Sequence, residues 1–195
     1  MIPFILGLGL LTAFPPAFPV QGGDNPRVLV RTEMGDITIE VALGKAPVTA
    51  ANFLRYVDAG LYDGTVFHRT VTRSSPRNQA VPIEVIQGGQ VAEDREFAAV
   101  PLERTNATGL MHIDAAVSMA RSGPDTATSS FFICVGGQPE LDFGGKRNAD
   151  GQGFAVFGRV VAGMEVARRI HASPVDNEEH LTPPVRILSA ARLSP

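Results

Sequence analysis

A β-rich fold, in which many short strands form one closed or sandwiched sheet, is what the sequence predicts. The chain carries 20 Gly and 15 Pro, too few for low complexity but enough to turn a backbone tightly and often. Between those turn residues, short runs of β-branched and aromatic character recur, and only two stretches show helical spacing. With 195 residues, 44% of them hydrophobic, the chain suits one domain with a substantial core.

The elements follow in order. Residues 27–43, RVLVRTEMGDITIEVAL, alternate on both sides of the turn residues Met34, Gly35 and Asp36, which predicts a hairpin. In APVTAANFLRYVDAG, Pro47 and Thr49 suit a first helical turn, Ala50, Phe53, Leu54 and Val57 recur at helical spacing, and Gly60 is placed to end the helix. TVFHRTV, IEVIQ, AAVSMAR, SFFICV and FAVFGRVV are five further strands. AGMEVARRI, 162–170, is the second helix, with Arg168 and Arg169 near its C-terminal end, where the helix dipole favours cations. The run Val185, Ile187, Ser189, Ala191, Leu193 alternates and closes the chain as a last strand.

Residues 2–18 carry no charge, and Ile2 to Phe14 form an apolar block of the length of a signal-peptide core. A membrane-spanning helix needs roughly 20 apolar residues, and Pro15, Pro16 and Pro19 would break one here. Residues 1–26 are therefore expected to be a signal peptide and linker, and 27–195 a domain exported to a periplasm. The alternative is an N-terminal strand or helix of the fold itself, in a protein that stays in the cytoplasm.

A net charge of −3 and a pI near 5.8 offer no basic face for nucleic acid. His68, His112, His171 and His180 share no metal-ligand spacing, so no metal is expected. No Gly-x-Ser-x-Gly elbow is present to start a hydrolase triad. The single Cys134, inside the apolar run FFICV, reads as buried and inert.

Separated segments converge on one resemblance. VRTEMGDITIEVALGKAPVTAANF, VFHR at 66–69, VIQGG at 85–89, VSMARSGPDTATSSFFI at 117–133 and LDFGGKRNADGQGFAVFGRVVAGMEV at 141–166 together look like a cyclophilin-type peptidyl-prolyl isomerase. The resemblance runs in order from residue 27 to about 193. It implies an eight-stranded antiparallel closed barrel capped by two α-helices, with the proline site on the barrel's outer side. It further implies rotation about Xaa-Pro bonds in polypeptides, assisting their folding, with no cofactor, by a protein expected to be a monomer.

An Xaa-Pro bond interconverts slowly because amide resonance sets a barrier of about 18–20 kcal/mol. In the twisted transition state the prolyl nitrogen regains its lone pair, and a fixed donor aimed there stabilises that state above either planar isomer. By the resemblance Arg69 is that donor. Gln87 orients Arg69 or the peptide, Phe132, Leu141 and Phe154 form the proline pocket, and Val85 lies at its edge. Ala120, Arg121 and Ser122 fall where the family lays backbone along the bound peptide, with Arg121 in place of the common Asn. His68, Glu84 and Ser130 complete the set expected to contact substrate.

Several of these positions depart from the best-known members. Glu84 stands where an aromatic wall is usual, Ser130 where Gln is common, Glu140 where a Trp often contacts cyclosporin, and Phe154 where His or Tyr is frequent. Either Val81 or Ile83 fills the wall, or the pocket is looser and turnover lower. The second case would make the chain a catalytically weak proline-peptide-binding chaperone or adaptor. An unrelated β-barrel ligand carrier would require the ordered matches to be coincidence. The polar excursion at 72–82, with Arg73, Pro76, Arg77 and Pro82, reads as a loop beside the peptide groove. Since Glu140 replaces the Trp, cyclosporin is expected to inhibit weakly; an inhibition curve as tight as that of strongly sensitive members would contradict this.

Overall fold

The chain is described here by a computed structural model covering residues 25–75 and 80–194. Residues 1–24 of the expected leader and linker, and Pro76 and Arg77 of the polar excursion, lie outside the described residues. β1 (Arg27–Thr32) and β2 (Gly35–Val41) form the expected hairpin, and the Thr32 hydroxyl closes its turn by donating to the Gly35 carbonyl and accepting from the Met34 N–H. The remaining strands are β3 (Val66–Val71), β4 (Val85–Gly88), β5 (Ala116–Met119), β6 (Phe131–Cys134), β7 (Ala155–Ala162) and β8 (His180–Arg192). All pairings are antiparallel, and the order β1-β2-β7-β5-β6-β4-β3-β8 closes into a barrel through β8 against β1. Closure removes the sheet edges that would otherwise present unpaired backbone groups.

Two helices cover the barrel. α1 (Pro47–Asp58) packs on β7 and β8. Its leading Ala46 cannot cap it, so the N-terminal N–H groups of Val48 and Thr49 instead donate to the carboxylate of Glu103, at 3.1 and 2.7 Å. An anion there also complements the helix dipole. α2 (Thr105–Thr108) is a single turn, and α3 (Met164–His171) lays Val166, Ala167 and Ile170 against β2, β3 and β4. Among the described residues no helix is long and apolar enough to cross a membrane.

Apolar residues sort into two clusters. The barrel interior holds Phe53, Tyr62, Phe67, Phe131 and Phe157, whose rings meet tilted or edge-on, with Ile37, Ile39, Ile86 and Ile133 around them. A second cluster of Val71, Ile83, Val85, Ala116, Phe132, Cys134, Leu141 and Val156 lies apart from it. β5 and β6 are buried at every position because their alternate residues feed the two clusters: Phe131 and Ile133 enter one, Phe132 and Cys134 the other. Burial pushes the Cys134 thiol well above its usual range, as befits an inert sulfur.

Gly163, just before α3, has φ +84°, and a Cβ there would meet the Asp36 carbonyl and lie 2.9 Å from Ile37 Cα on β2. Both the left-handed backbone and the close approach require glycine. Gly163→Ala is expected to destabilise the fold by about 2 kcal/mol or more, read as a lowered urea midpoint by circular dichroism.

Candidate active site

The site rests on a register. β3 pairs with β4 so that Arg69 faces Gln87, and β4 pairs with β6 so that Gln87 faces Phe132. Three residues scattered along the chain thus form one row across adjacent strands, on the same side of the sheet. Gln87 Oε1 accepts from Arg69 Nη1 at 3.1 Å, and Gln87 Nε2 donates to Ser130 Oγ at 3.2 Å. On its other flank Arg69 pairs with His180 of β8, and Nε and Nη2 donate to Glu179 Oε2 at 3.1 and 2.5 Å. Three of the guanidinium's five N–H groups are so engaged, while the side chain keeps 29% of its surface exposed.

Next to Arg69 lies a hollow of about 250 Å³ lined by Ile83, Val85, Gln87, Ala120, Arg121, Phe132, Leu141, Arg147, Asn148 and Phe154. Val85 and Leu141 are its deeply buried floor. Phe132 and Phe154 meet edge to face with centroids 5.3 Å apart. Behind Phe132 the His112 ring stacks at 5.9 Å, itself fixed by Asp142 at Nδ1, 2.7 Å away, and by Ser118 Oγ at Nε2, 3.0 Å away. His112, Asp142 and Ser118 are all buried and line neither the hollow nor its floor.

Arg121 is a wall of this hollow. Its Nη atoms donate to both Asp150 oxygens at 2.8 and 2.9 Å, its Nε to the Gly153 carbonyl at 2.7 Å, and its guanidinium lies 5.1 Å from the Phe154 ring centre. The Arg121 hydrogen bonds first, then the Gln152 N–H, hold the Asp150 carboxyl down at about 2, so the pair stays ionised at every ordinary pH.

Of the residues expected at the site, Arg69, Gln87, Phe132, Val85, Ala120, Arg121, Leu141 and Phe154 line or flank this hollow. Ser122 and Ser130 line an adjoining depression that shares Gln87, Ala120 and Arg121 with it. His68 and Glu84 line neither. His68 is held below the ordinary imidazole range by burial and then by the Arg69 charge, which leaves it neutral at pH 7. Glu84 turns away to Arg73, whose Nε donates to it at 2.8 Å, and Ile83 faces the hollow in its place. Residues 81–84 are anchored there by Arg147 Nη1 donating to the Val81 carbonyl at 3.0 Å and by the Glu84 N–H donating to Gln138.

Arg147, Asn148 and Glu179 escaped the sequence reading. The first two lie inside the recognised stretch LDFGGKRNADGQGF yet were not singled out; Glu179 sits in a loop with no motif.

An antiparallel closed barrel with helical caps, carrying on its outer side a hollow with an apolar floor and a fixed arginine, defines a cyclophilin fold. Residues 27–192 match the family described as cyclophilin type peptidyl-prolyl cis-trans isomerase/CLD. The chain is 39% identical over 170 residues to peptidyl-prolyl cis-trans isomerase A of Dickeya dadantii, covering 86% of this chain and 81% of that one. It is 35% identical over 172 residues to a peptidyl-prolyl cis-trans isomerase of Acinetobacter baylyi, covering 85% and 84%. In fold it is similar, with a TM-score of 0.68 at 22% identity, to a Cryptosporidium parvum cyclophilin type peptidyl-prolyl cis-trans isomerase solved in the presence of the dipeptide ala-pro, covering 87% of this chain and 99% of that one. The chain belongs to the cyclophilin-type peptidyl-prolyl cis-trans isomerase family, and it is an isomerase.

Ile83 supplies the wall that Glu84 does not. Ile83→Ala is expected to lower kcat/KM about tenfold, since deleting a buried wall of this size removes roughly 1–2 kcal/mol of contact with a bound ring. The peptide relaxation rate checks it, and Glu84→Ala should leave that rate within about twofold.

Proposed function

We propose that the hollow holds the proline ring of an Xaa-Pro segment in a polypeptide and that Arg69 donates to the prolyl nitrogen as the bond twists. The observation that carries this is the placement of Arg69: a guanidinium clamped on two sides, with N–H groups left over, beside a hollow whose apolar part is Val85, Phe132, Leu141 and Phe154. Burying the ring's methylenes is worth only roughly 2 kcal/mol, which suits weak binding of many sequences. The larger effect belongs to the donor, because a preorganised N–H acts where the lone pair develops and does little for the planar amide. Phe132, Phe154 and Leu141 hold the ring, Val85 and Ile83 flank it, and the main chain of Ala120 to Ser122 borders the peptide's path. Gln87, tied to Ser130, keeps Arg69 facing the hollow.

The reading as a catalytically weak binder leaned on Glu84 and Ser130. Glu84 lies off the hollow and Ser130 serves as the hydrogen-bond partner of Gln87, so neither departure weakens the site.

Arg69→Lys is the informative variant. Arg69→Ala would strand the buried Glu179 carboxylate, at a cost of about 3 kcal/mol, and confound loss of activity with loss of fold. Lysine keeps the charge and loses the planar fork. Relaxation of a short Xaa-Pro peptide from cis to trans should be accelerated by wild type and about 10- to 100-fold less by Arg69→Lys. Equal acceleration by both would overturn Arg69 as the donor.

A further inference from the structure

The acid behind Arg69 has an unusual setting. Glu179 has 1% of its side chain exposed, and one oxygen, Oε2, takes both Arg69 bonds while Oε1 has no hydrogen-bond partner among the described residues. Its backbone is left-handed, φ 72°, a conformation that side-chain-bearing residues adopt only when their surroundings force it. Those surroundings are explicit. The loop before β8 is stapled by Val175 bridging Leu181, by Asp176 Oδ1 accepting from the N–H groups of Glu178 and His180, and by Glu179 N–H donating to the Asp176 carbonyl. The Glu179 carbonyl accepts in turn from the N–H of Thr70, the residue after Arg69. The loop therefore holds a single carboxylate, by both its main chain and its side chain, against the back of one guanidinium.

We propose that Glu179 is the positioning residue that aims Arg69 at the proline site. An arginine side chain has many rotamers, and Gln87 alone grips it at one nitrogen. Adding the fork to Glu179 fixes the guanidinium plane at Nε and Nη2. The ion pair also offsets the charge of Arg69 itself. Arg69 then acts through the direction of its N–H groups, and not as a free cation attracting acidic segments. Glu179 touches no substrate, since it does not line the hollow.

The inference rests on Arg69 being the donor, and the test separates the two. Glu179→Gln should lower kcat about tenfold in the Xaa-Pro relaxation assay, while the dissociation constant for a proline peptide stays within about twofold. A residue that merely stabilised the fold would lower the unfolding midpoint without this split. Combined with Arg69→Lys, Glu179→Gln should cost less than it does in wild type, because a mis-aimed donor cannot be lost twice. Where Glu179→Gln fails to fold, Glu179→Asp, which keeps the charge but withdraws it from Arg69, carries the same readings. Full kcat in a folded Glu179 variant, with Arg69→Lys still impaired, overturns the positioning role alone. Equal losses in both backgrounds overturn it too. Full activity of Arg69→Lys overturns the donor reading and this inference with it.

Discussion

The site depends on strands that are buried on both faces. β6 is four residues long and shares its side chains between two apolar clusters, Phe131 and Ile133 inside the barrel, Phe132 and Cys134 outside it. Because side chains alternate with a period of 2, a slip of one residue would send Phe132 into the interior and Phe131 into the hollow beside Arg69. Packing the interior therefore dictates where the outer wall stands. The same register carries through β4 to β3, so that the backbone positions of Gln87 and Arg69 fall in line with Phe132. Sites on paired strands are held more precisely than sites on loops.

The outer cluster then decides which charges the site tolerates. Arg69, Arg121 and Arg147 all border one small hollow. Arg121 is neutralised by Asp150 and Arg69 by Glu179. Burial, and then the neighbouring Arg69, push Arg147 below its usual value, yet a guanidinium is basic enough to stay charged. Cations crowded together without such partners would repel by about 1 kcal/mol or more per pair at surface-like dielectric. Two arginines therefore arrive with their own carboxylates, and the third donates to the Val81 carbonyl.

Much of this was legible beforehand. All eight strands and both longer helices were visible as alternation, turn residues and helical spacing, because these are local consequences of sequence. Arg69, Gln87 and Phe132 came from the family resemblance, and the structure brings them into one row. What stayed hidden was non-local. Glu103 caps α1 from more than fifty positions away, and no rule of neighbours finds it. Ile83 and Glu84 differ by one position, and which of them faces the hollow is settled by Arg73 and Gln138 holding the segment. Glu179 looked like one more acid in a polar loop, because its partner lies 110 residues earlier.

That separation bears on how the molecule is made. β3 has two neighbours, β4 and β8, and β8 is the last strand of the barrel in chain order. During synthesis from the N-terminus, Arg69, Gln87 and Phe132 can all leave the ribosome well before Glu179 and the strand that follows it. The second hold on Arg69 therefore arrives only with the loop before the final strand, late in the making of the chain.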